Sequence, residues 1–263
     1  MSSGAKQLVQ IAKETVIGTV PSPFARQTLA FTDISLNQSV EKTESASITD
    51  SRLQQSSMIT SAEYSGELSA EAQYGAYDDL MAAAAFNAWA TNVLTFGGTT
   101  RQTFSVLLGY TDIANYHTFS GLHVNTFGID IPESGLIGLT FGFMGTKRTT
   151  AAVAPVGTIT PASTNPRMSN ISVGDLLVDG ASVKGTACIT AFSFNWDNSM
   201  QVQKCLGAGL EVGAILEMSA KGTGSFTMAW STKAAELYEK QFTNGNISLS
   251  IPITDTAGNK YVL

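Results

Sequence analysis

The sequence predicts a mainly β fold made of two tandem copies of one β-sandwich or barrel unit, each with one packed α-helix. Apolar residues alternate with small or polar ones at 104–110 and again at 247–253, which is the period of half-buried strands. The two segments superpose position for position and share a closing Thr-Asp pair. The order strand, long excursion, strand, helix, strand also occurs twice, which favours a duplication.

This repeat divides the chain into four regions. We expect a first β unit at residues 27–146 and a second at 185–263. Residues 147–184 join them as a Pro/Thr/Ala-rich linker with a connecting strand. Residues 1–26 precede both units. A short helix is conceivable at 4–14, but a glycine and two prolines follow by residue 23, so we expect an N-terminal arm rather than a third domain.

One helix is expected in each unit. The first begins near Gly75, has two aspartates in its first turn, where carboxylates favour the helix dipole, and ends at Gly97-Gly98. The second ends at Asn244-Gly245. Spacings of three and four residues predict a core-facing side on each helix. These side chains are Phe86, Trp89 and Val93 in the first helix and Leu237, Tyr238 and Phe242 in the second.

Two further segments indicate hairpins. Residues 123–145 alternate on both sides of a Pro-Glu-Ser-Gly turn at 132–135. Residues 42–65 contain no proline or glycine, several charges and weak alternation. A structureless loop of that length is unusual in a compact domain and is commonly functional. We therefore expect an extended, hairpin-like arm that orders against a neighbouring subunit.

Composition and charge exclude several functions. The net charge is −6, and the acidic excess is concentrated at residues 41–79, so no basic face for gripping nucleic acid is evident. Charged residues make up 14% and hydrophobic ones 43%, which is typical of a globular chain. No apolar run approaches the roughly 18 residues of a membrane-spanning helix. We expect a soluble protein that stays in the cytoplasm of the cell that makes it, without a membrane partner.

The residues of catalytic and metal sites are sparse. Two cysteines and two histidines are too few for a disulfide framework or a CxxC-type zinc site, so we expect no cofactor, and we expect Cys188 and Cys205 to be free thiols in the core. Glu67 and Glu71 lie on the same face of a predicted strand, about 13 Å apart, which is too far for a glycosidase pair. The sequence therefore predicts a non-enzyme.

Several segments carry a resemblance to a known family. They are GTVP at 18–21, Glu44-Ser45 with Ser51-Arg52 downstream, SGELSAEAQYGAYDDL at 65–80, TTRQTFSVLLGYTDIANYHTFSGLHVNTF at 99–127, LYEKQF at 237–242 and LSIPITDTAGNKYVL at 249–263. In this order they resemble the major tail tube proteins of long, non-contractile-tailed bacteriophages. The resemblance covers most of the chain, and the linker at 147–170 departs from it.

The resemblance implies a structural virion protein of the tail, assembled in the cytoplasm of the bacterial host, with tail-tube-type β units that build stacked rings. The tube is the conduit for DNA ejection, through which double-stranded DNA passes without tight binding. A trimeric ring with pseudo-sixfold symmetry is favoured, and a hexameric ring is the alternative. Tail terminator, tape-measure and tail-tip proteins are the implied partners.

The same resemblance assigns two sets of residues as hypotheses, with a solvated surface as the competing interpretation of the first. The lumen-facing set is Glu67, Ser69, Glu71, Gln73, Ser225, Thr227 and Ser231. Contacts between rings are assigned to the arm at 42–65 and its counterpart at 200–222, with Glu44, Asp50 and Arg52 as candidates. Two other functions stay open: a tube-capping or related injection-machine ring protein, and a β-sandwich adhesin or binding module.

Overall fold

The computed structural model describes residues 6–48, 50, 53, 55–243 and 245–263, and within them the chain is mainly β, as predicted. The strands of the first half are β1 (Gln7–Lys13), β2 (Arg26–Thr28), β3 (Asp33–Ile34), β4 (Asn37–Glu44), β5 (Ser57–Glu71), β6 (Phe104–Tyr110), β7 (Asn115–Ile131) and β8 (Gly138–Gly145). Helix α1 (Asp78–Ala84) lies between β5 and β6.

The second half has shorter elements. Its strands are β9 (Lys147–Ala151), β10 (Ile159–Thr160), β11 (Leu177–Val178), β12 (Ala181–Ser182), β13 (Ile189–Asp197), β14 (Gln201–Gln203), β15 (Ala214–Leu216), β16 (Lys221–Met228), β17 (Leu249–Ser250), β18 (Pro252–Thr254) and β19 (Lys260–Val262). A 3-10 turn covers Asn170–Ser172, and helix α2 (Thr232–Lys240) follows β16.

The long strand β7 organises the fold. It forms the predicted hairpin with β8, and β9 continues that hairpin along the first half of β7. On its other side β7 pairs with β6 through its first half and with β13 through its second half. It therefore belongs to two sheets, which we call sheet A (β10, β2, β1, β6, β7 and β9) and sheet B (β3 and β4, then β5, β8, β7, β13 and β16).

The partners of β7 change at Gly121. This residue has a φ of +64°, a conformation that glycine adopts without the penalty of a Cβ atom. A Cβ atom there would lie 2.2 Å from Thr146 Oγ1, between β8 and β9. Glycine is thus required at the position where the strand passes from one sheet to the other.

The main core lies under one face of sheet B. Tyr77 directly precedes α1, and Leu80 lies in its first turn. Both pack here against aromatic and aliphatic side chains of β5, β7 and β8. The rings of Tyr77 and Phe141 are 6.0 Å apart, and the Tyr77 hydroxyl donates a hydrogen bond to the Ala30 carbonyl oxygen at 2.6 Å. Burial raises the pKa of Tyr77 to about 12. The alanines of α1 let the helix approach the sheet closely.

The expected N-terminal arm is wrong for residues 7–13. They form β1, which pairs with β6 along its whole length, and Val9 and Ile11 belong to the main core. The helix considered for residues 4–14 is therefore wrong as well. β1 covers one edge of β6. On the face of β6 that points away from the main core, Leu107 packs with Phe24 and Ala12. The strand is therefore buried on both faces rather than half-buried.

The first predicted helix is right in position and wrong in length. Asp78 and Asp79 occupy the first turn of α1, but the helix ends before Phe86, which has a φ of +53°. The Gly97 and Gly98 N–H groups donate to the Ala85 carbonyl oxygen at 3.2 and 3.1 Å. The chain thus folds back onto the helix end, and Trp89 and Val93 lie outside the core with 37% and 61% of their surface exposed.

The second helix is confirmed at its position, with a smaller buried face than predicted. Leu237 of α2 is buried against Val178 and Val183. Tyr238 and Phe242 are exposed, so their assignment to the core is wrong. A short amphipathic helix on an edge strand presents only its central turn to the sheet, which leaves the flanking aromatic residues in solvent.

Two other expectations need correction. The linker contributes β9 to sheet A, and its Met168 is fully buried, so part of it belongs to the core. Cys188 and Cys205 are free, as expected, but both are exposed rather than buried.

The two halves share one sheet, because β13 pairs with β7. The order strand, excursion, strand, helix occurs as β4, β5 and α1 and again as β13, β16 and α2. The predicted strand at 247–253 is interrupted at Ile251, whose N–H group donates to the Leu263 carbonyl oxygen at 2.9 Å. The boundaries of the tandem units stay a prediction.

Candidate functional site

Sheet B has one face made of small and polar residues. Three rows of residues in register cross β5, β8, β7, β13 and β16 in that order. They are Glu67, Gly142, Thr126, Asp197 and Lys221; then Ser69, Thr140, Gly128, Asn195 and Thr223; then Glu71, Gly138, Asp130, Ser193 and Ser225. We call these fifteen residues the polar face.

Strand alternation explains the composition of the polar face. Neighbouring residues such as Leu68, Phe141 and Phe127 point to the opposite side and enter the core, so the polar residues point away from it. The hydroxyl oxygens of Ser193 and Ser225 are 2.8 Å apart, as expected for adjacent residues on one face. No large apolar side chain interrupts the fifteen positions, and the three rows run without a break across five strands.

The polar face carries a negative charge. Its carboxylates are Glu67, Glu71, Asp130 and Asp197, and Lys221 is opposite Asp197 in the register of β13 and β16. Glu71 forms an ion pair with Arg167, which neutralises part of this charge at one edge. Glu67 and Asp130 are exposed. A face with this balance lacks the cluster of Lys and Arg that phosphate binding requires.

Five of the seven residues predicted to share a polar surface lie on this side of sheet B. Glu67, Ser69, Glu71 and Ser225 belong to the polar face, and Thr227 is the next outward-facing residue of β16, opposite Ala191.

The other two do not. Gln73 follows the end of β5, is only 4% exposed and donates from Nε2 to the Asn165 carbonyl oxygen at 2.7 Å. Ser231 caps α2, with its Oγ accepting from the Ala234 N–H at 3.2 Å. Their assignment to an exposed strand face is therefore wrong.

The polar-face residues of β8, β7 and β13 were not predicted to share this surface. The signal was present: Gly138, Thr140 and Gly142 alternate with large apolar residues. What the sequence could not supply was the register that aligns this alternation with that of β5 and β13.

The predicted hairpin arm is present where residues 42–65 are described. Strands β4 and β5 pair from Asn37 and Ser65 to Glu44 and Ser57, whereas β8 pairs with β5 only from Tyr64 onward. We call the described residues within 38–63 the hairpin arm, because the paired strand segments 38–44 and 57–63 extend beyond the rest of sheet B.

Two of the three residues assigned to ring contacts lie on this arm. Glu44 and Asp50 are exposed on it, and Arg52 lies outside the described residues. The counterpart segment at 200–222 packs at the base of the arm, where the Tyr64 hydroxyl donates to the Leu210 carbonyl oxygen at 3.1 Å.

Comparison with known families decides the identity of the chain. The family model described as "Phage tail tube protein" matches residues 4–263. The chain belongs to the phage tail tube protein family. It is a structural protein of the bacteriophage virion and a component of the tail. No curated protein matches the chain.

This tail tube protein leaves strand edges open. In the described part of the chain, β16 pairs only with β13, and β4 pairs only with β5. Open edges present unpaired N–H and C=O groups that can pair with another chain. Both edges border the sheet that carries the polar face.

Potential metal ligands are scattered over the described part of this tail tube protein. Among its described residues, no three His, Cys, Asp or Glu side chains come close enough together to hold a metal ion. None of the helices that the structure describes is both long and apolar enough to cross a lipid bilayer.

Proposed function

We propose that this tail tube protein assembles into stacked rings that form the tube of a long, non-contractile tail, the conduit for DNA ejection, with its polar face lining the lumen. The observation that carries the proposal is the continuous polar face of sheet B, which is unbroken by apolar side chains and carries a negative charge. The role is structural rather than enzymatic.

The chemistry of the polar face suits a wall along which DNA slides. Duplex DNA carries about one negative charge per 1.7 Å of its axis, and Lys or Arg side chains bind it by releasing counterions. Carboxylates such as Glu67 and Asp130 repel phosphates weakly through water, and serine and threonine hydroxyls keep the wall hydrated. DNA therefore passes without tight binding.

Ring formation gives the open edges a partner. A head-to-tail contact between different edges of identical chains generates a closed ring when the rotation closes. The edge of sheet B at β16 and the opposite edge at β3 supply two different surfaces for such a contact, while β4 belongs to the hairpin arm. Because the order strand, excursion, strand, helix occurs twice in the chain, three chains build a pseudo-sixfold ring, and a hexameric ring is the alternative.

Stacking of the rings is assigned to the hairpin arm, with Glu44, Asp50 and Arg52 contacting the next ring. The tube ends require a tail terminator and tail-tip proteins, and a tape-measure protein sets the length. Assembly takes place in the cytoplasm of the bacterial host.

Electron microscopy of the concentrated, purified protein tests assembly. We expect tubes with a central channel, and mass per unit length decides between three and six chains per ring. Protein that stays monomeric and monodisperse would contradict the proposal.

Thiol labelling tests which face lines the channel. In a variant with Cys188→Ser and Cys205→Ser, we introduce Asn195→Cys on the polar face. Assembled tubes should react with a small maleimide but exclude a maleimide carried on a large polymer, whereas the unassembled variant reacts with both. Equal reaction of tubes with the bulky reagent would place the polar face outside the lumen.

A further inference from the structure

An apolar cavity of about 580 Å³ opens beside the junction of β7 and β13, on the core side of sheet B. Its lining includes Trp89, Val93, Phe96, Phe127, Phe194 and Leu263. This volume lies within the roughly 300–1,000 Å³ typical of ligand pockets. It is large enough to accept several aliphatic side chains.

Aromatic contacts hold the cavity open. The Phe96 ring stacks on Phe127 at 5.9 Å and meets Phe194 edge-on at 5.8 Å. The Trp89 indole N–H donates to the Asp78 carbonyl oxygen at 3.1 Å, which fixes the loop that forms one wall. Val93 and Trp89 leave apolar surface exposed at the rim. Exposed apolar surface around a concave site is typical of an interaction site.

The same chain has apolar side chains that protrude. Ile48, near the tip of the hairpin arm, is 100% exposed, and Met58 and Ile59 on β5 are also exposed. An aliphatic side chain on a projecting hairpin is stabilised when it leaves water for an apolar environment. The cavity offers an apolar environment of the matching kind.

The arm and the cavity lie at opposite ends of β5. Ile48 precedes Ser57, where β5 begins, and the cavity lining includes Ala72, one residue beyond the other end of β5. The fifteen residues of β5 span about 50 Å at the rise of an extended strand. The arm of one chain therefore cannot reach the cavity of the same chain, but a second copy placed end to end can supply it.

Charge favours the same arrangement. Lys260 belongs to the cavity lining, and the exposed Asp50 follows the exposed Ile48 closely in the sequence. A carboxylate on the inserted segment and an ammonium at the receiving site attract each other, which fixes orientation more than affinity.

We propose that the hairpin arm of one copy inserts Ile48 and Met58 into the cavity of a copy in the next ring. The inference rests on the proposed stacking of rings and names the receiving site. Because the hairpin arm and the cavity are different surfaces at opposite ends of one chain, the contact between them is heterologous. Such a contact propagates along an axis instead of closing on itself.

Photo-crosslinking in assembled tubes tests the contact. The full chain carries p-benzoylphenylalanine in place of Ile48, and tubes are grown from an equal mixture of ¹⁵N-labelled and unlabelled protein. After irradiation, we expect crosslinks from position 48 to residues 89–96 or 260–263, in peptide pairs of mixed isotope. The same residue in place of the exposed Ile171 serves as the control and should not reach these segments.

Crosslinks to any other surface, or products that stop at the number of chains in one ring, would overturn the inference while the tubes themselves support the proposed function. Wild-type protein that forms no tubes would overturn both.

A second measurement does not depend on crosslinking. Ile48→Ser alters a fully exposed side chain and leaves the fold intact, so we expect the critical concentration for tube formation to rise by ~10- to ~100-fold. Ile171→Ser, a matched change at another exposed isoleucine, should leave it unchanged. An unchanged value for Ile48→Ser, or an equal rise for both variants, would overturn the inference.

Discussion

The Glu14 carboxylate, one residue after β1, accepts a hydrogen bond at 2.8 Å from the Gly121 N–H group in the middle of β7. Ser105 Oγ and Thr103 Oγ1 donate to the same carboxylate at 2.6 and 2.9 Å, and the Gly18 N–H donates at 2.8 Å. Glu14 is only 7% exposed. One buried carboxylate therefore joins β1, β6 and β7 at the glycine where β7 passes from sheet A to sheet B.

Replacing this carboxylate by an amide is expected to destabilise the fold. Glu14→Gln keeps one acceptor oxygen but presents an NH₂ group to donors that had faced the other oxygen. We expect the free energy of unfolding to fall by ~1–3 kcal/mol, measured by urea denaturation of the unassembled protein. Glu239→Gln, at an exposed position of α2, is the control. Equal stability of the two variants would contradict the role assigned to Glu14.

The buried side chain of His123 is expected to make the fold less stable in acid. It is buried, its Nδ1 is 3.0 Å from the Gly121 carbonyl oxygen, and burial is the main cause that lowers its pKa. The folded protein disfavours protonation of this ring. The contribution of neutral His123 to the free energy of unfolding is therefore complete above the unfolded pKa of about 6.5 and is lost as the pH falls below it. We expect the urea midpoint to drop between pH 7 and pH 5.

His123→Asn keeps a donor for the Gly121 carbonyl and cannot titrate, so its drop should be smaller. His117→Asn, at a half-buried position, should retain most of the wild-type drop. Identical pH profiles for wild type and His123→Asn would refute this explanation.

Tyr261 fastens the C-terminal hairpin to the start of α1. Its hydroxyl donates to the Asp78 carboxylate and accepts from the Gly75 N–H at 2.9 Å, and burial raises the pKa of Asp78. Tyr261→Phe should cost ~1.5–3 kcal/mol of unfolding free energy at pH 7, where Asp78 is charged, and less below its raised pKa, where a neutral carboxyl accepts a weaker bond. Tyr238→Phe, at an exposed tyrosine, is the control for the same urea titration. A cost that grows as the pH falls would contradict the role of the charged carboxylate.

Reversing charge on the polar face should slow DNA passage. Glu67 and Asp130 are exposed there, whereas Glu71 already pairs with Arg167. In phage that carries Glu67→Lys and Asp130→Lys, we expect tubes to form and DNA ejection to slow, because each lysine adds a phosphate contact. Glu133→Lys with Glu239→Lys adds the same charge outside the polar face and should eject at the wild-type rate. Equal ejection kinetics in the two phages would exclude the polar face as the lumen wall.

Shortening the hairpin arm should separate folding from polymerisation. Glu44 pairs with Ser57, so an Asn-Gly turn in place of residues 45–56 can close the hairpin without strain. We expect soluble protein with an unchanged melting temperature that forms no long tubes by electron microscopy. Normal tubes from this variant would refute the assignment of the arm to stacking.

Local patterns predicted what depends on neighbouring residues. Alternation placed Glu67 and Ser69 opposite Leu68 correctly, because side-chain direction in a strand is set by the backbone itself. The same reasoning failed for Gln73 and Trp89. Whether the strand continues past Glu71 depends on hydrogen-bond partners that are distant in the sequence, such as Asn165. Whether the helix continues past Ala84 depends on residues such as Gly98, where the chain has folded back onto the helix end.

The sequence by itself determined that this chain is mainly β, that a projecting hairpin precedes a strand of alternating polarity, and that the chain resembles tail tube proteins. Only the tertiary structure decided that β7 joins two sheets and that residues from five strands form one polar face. The physical reason is register: each strand encodes which of its side chains share a face, but hydrogen bonds between strands far apart in the chain decide which faces become neighbours.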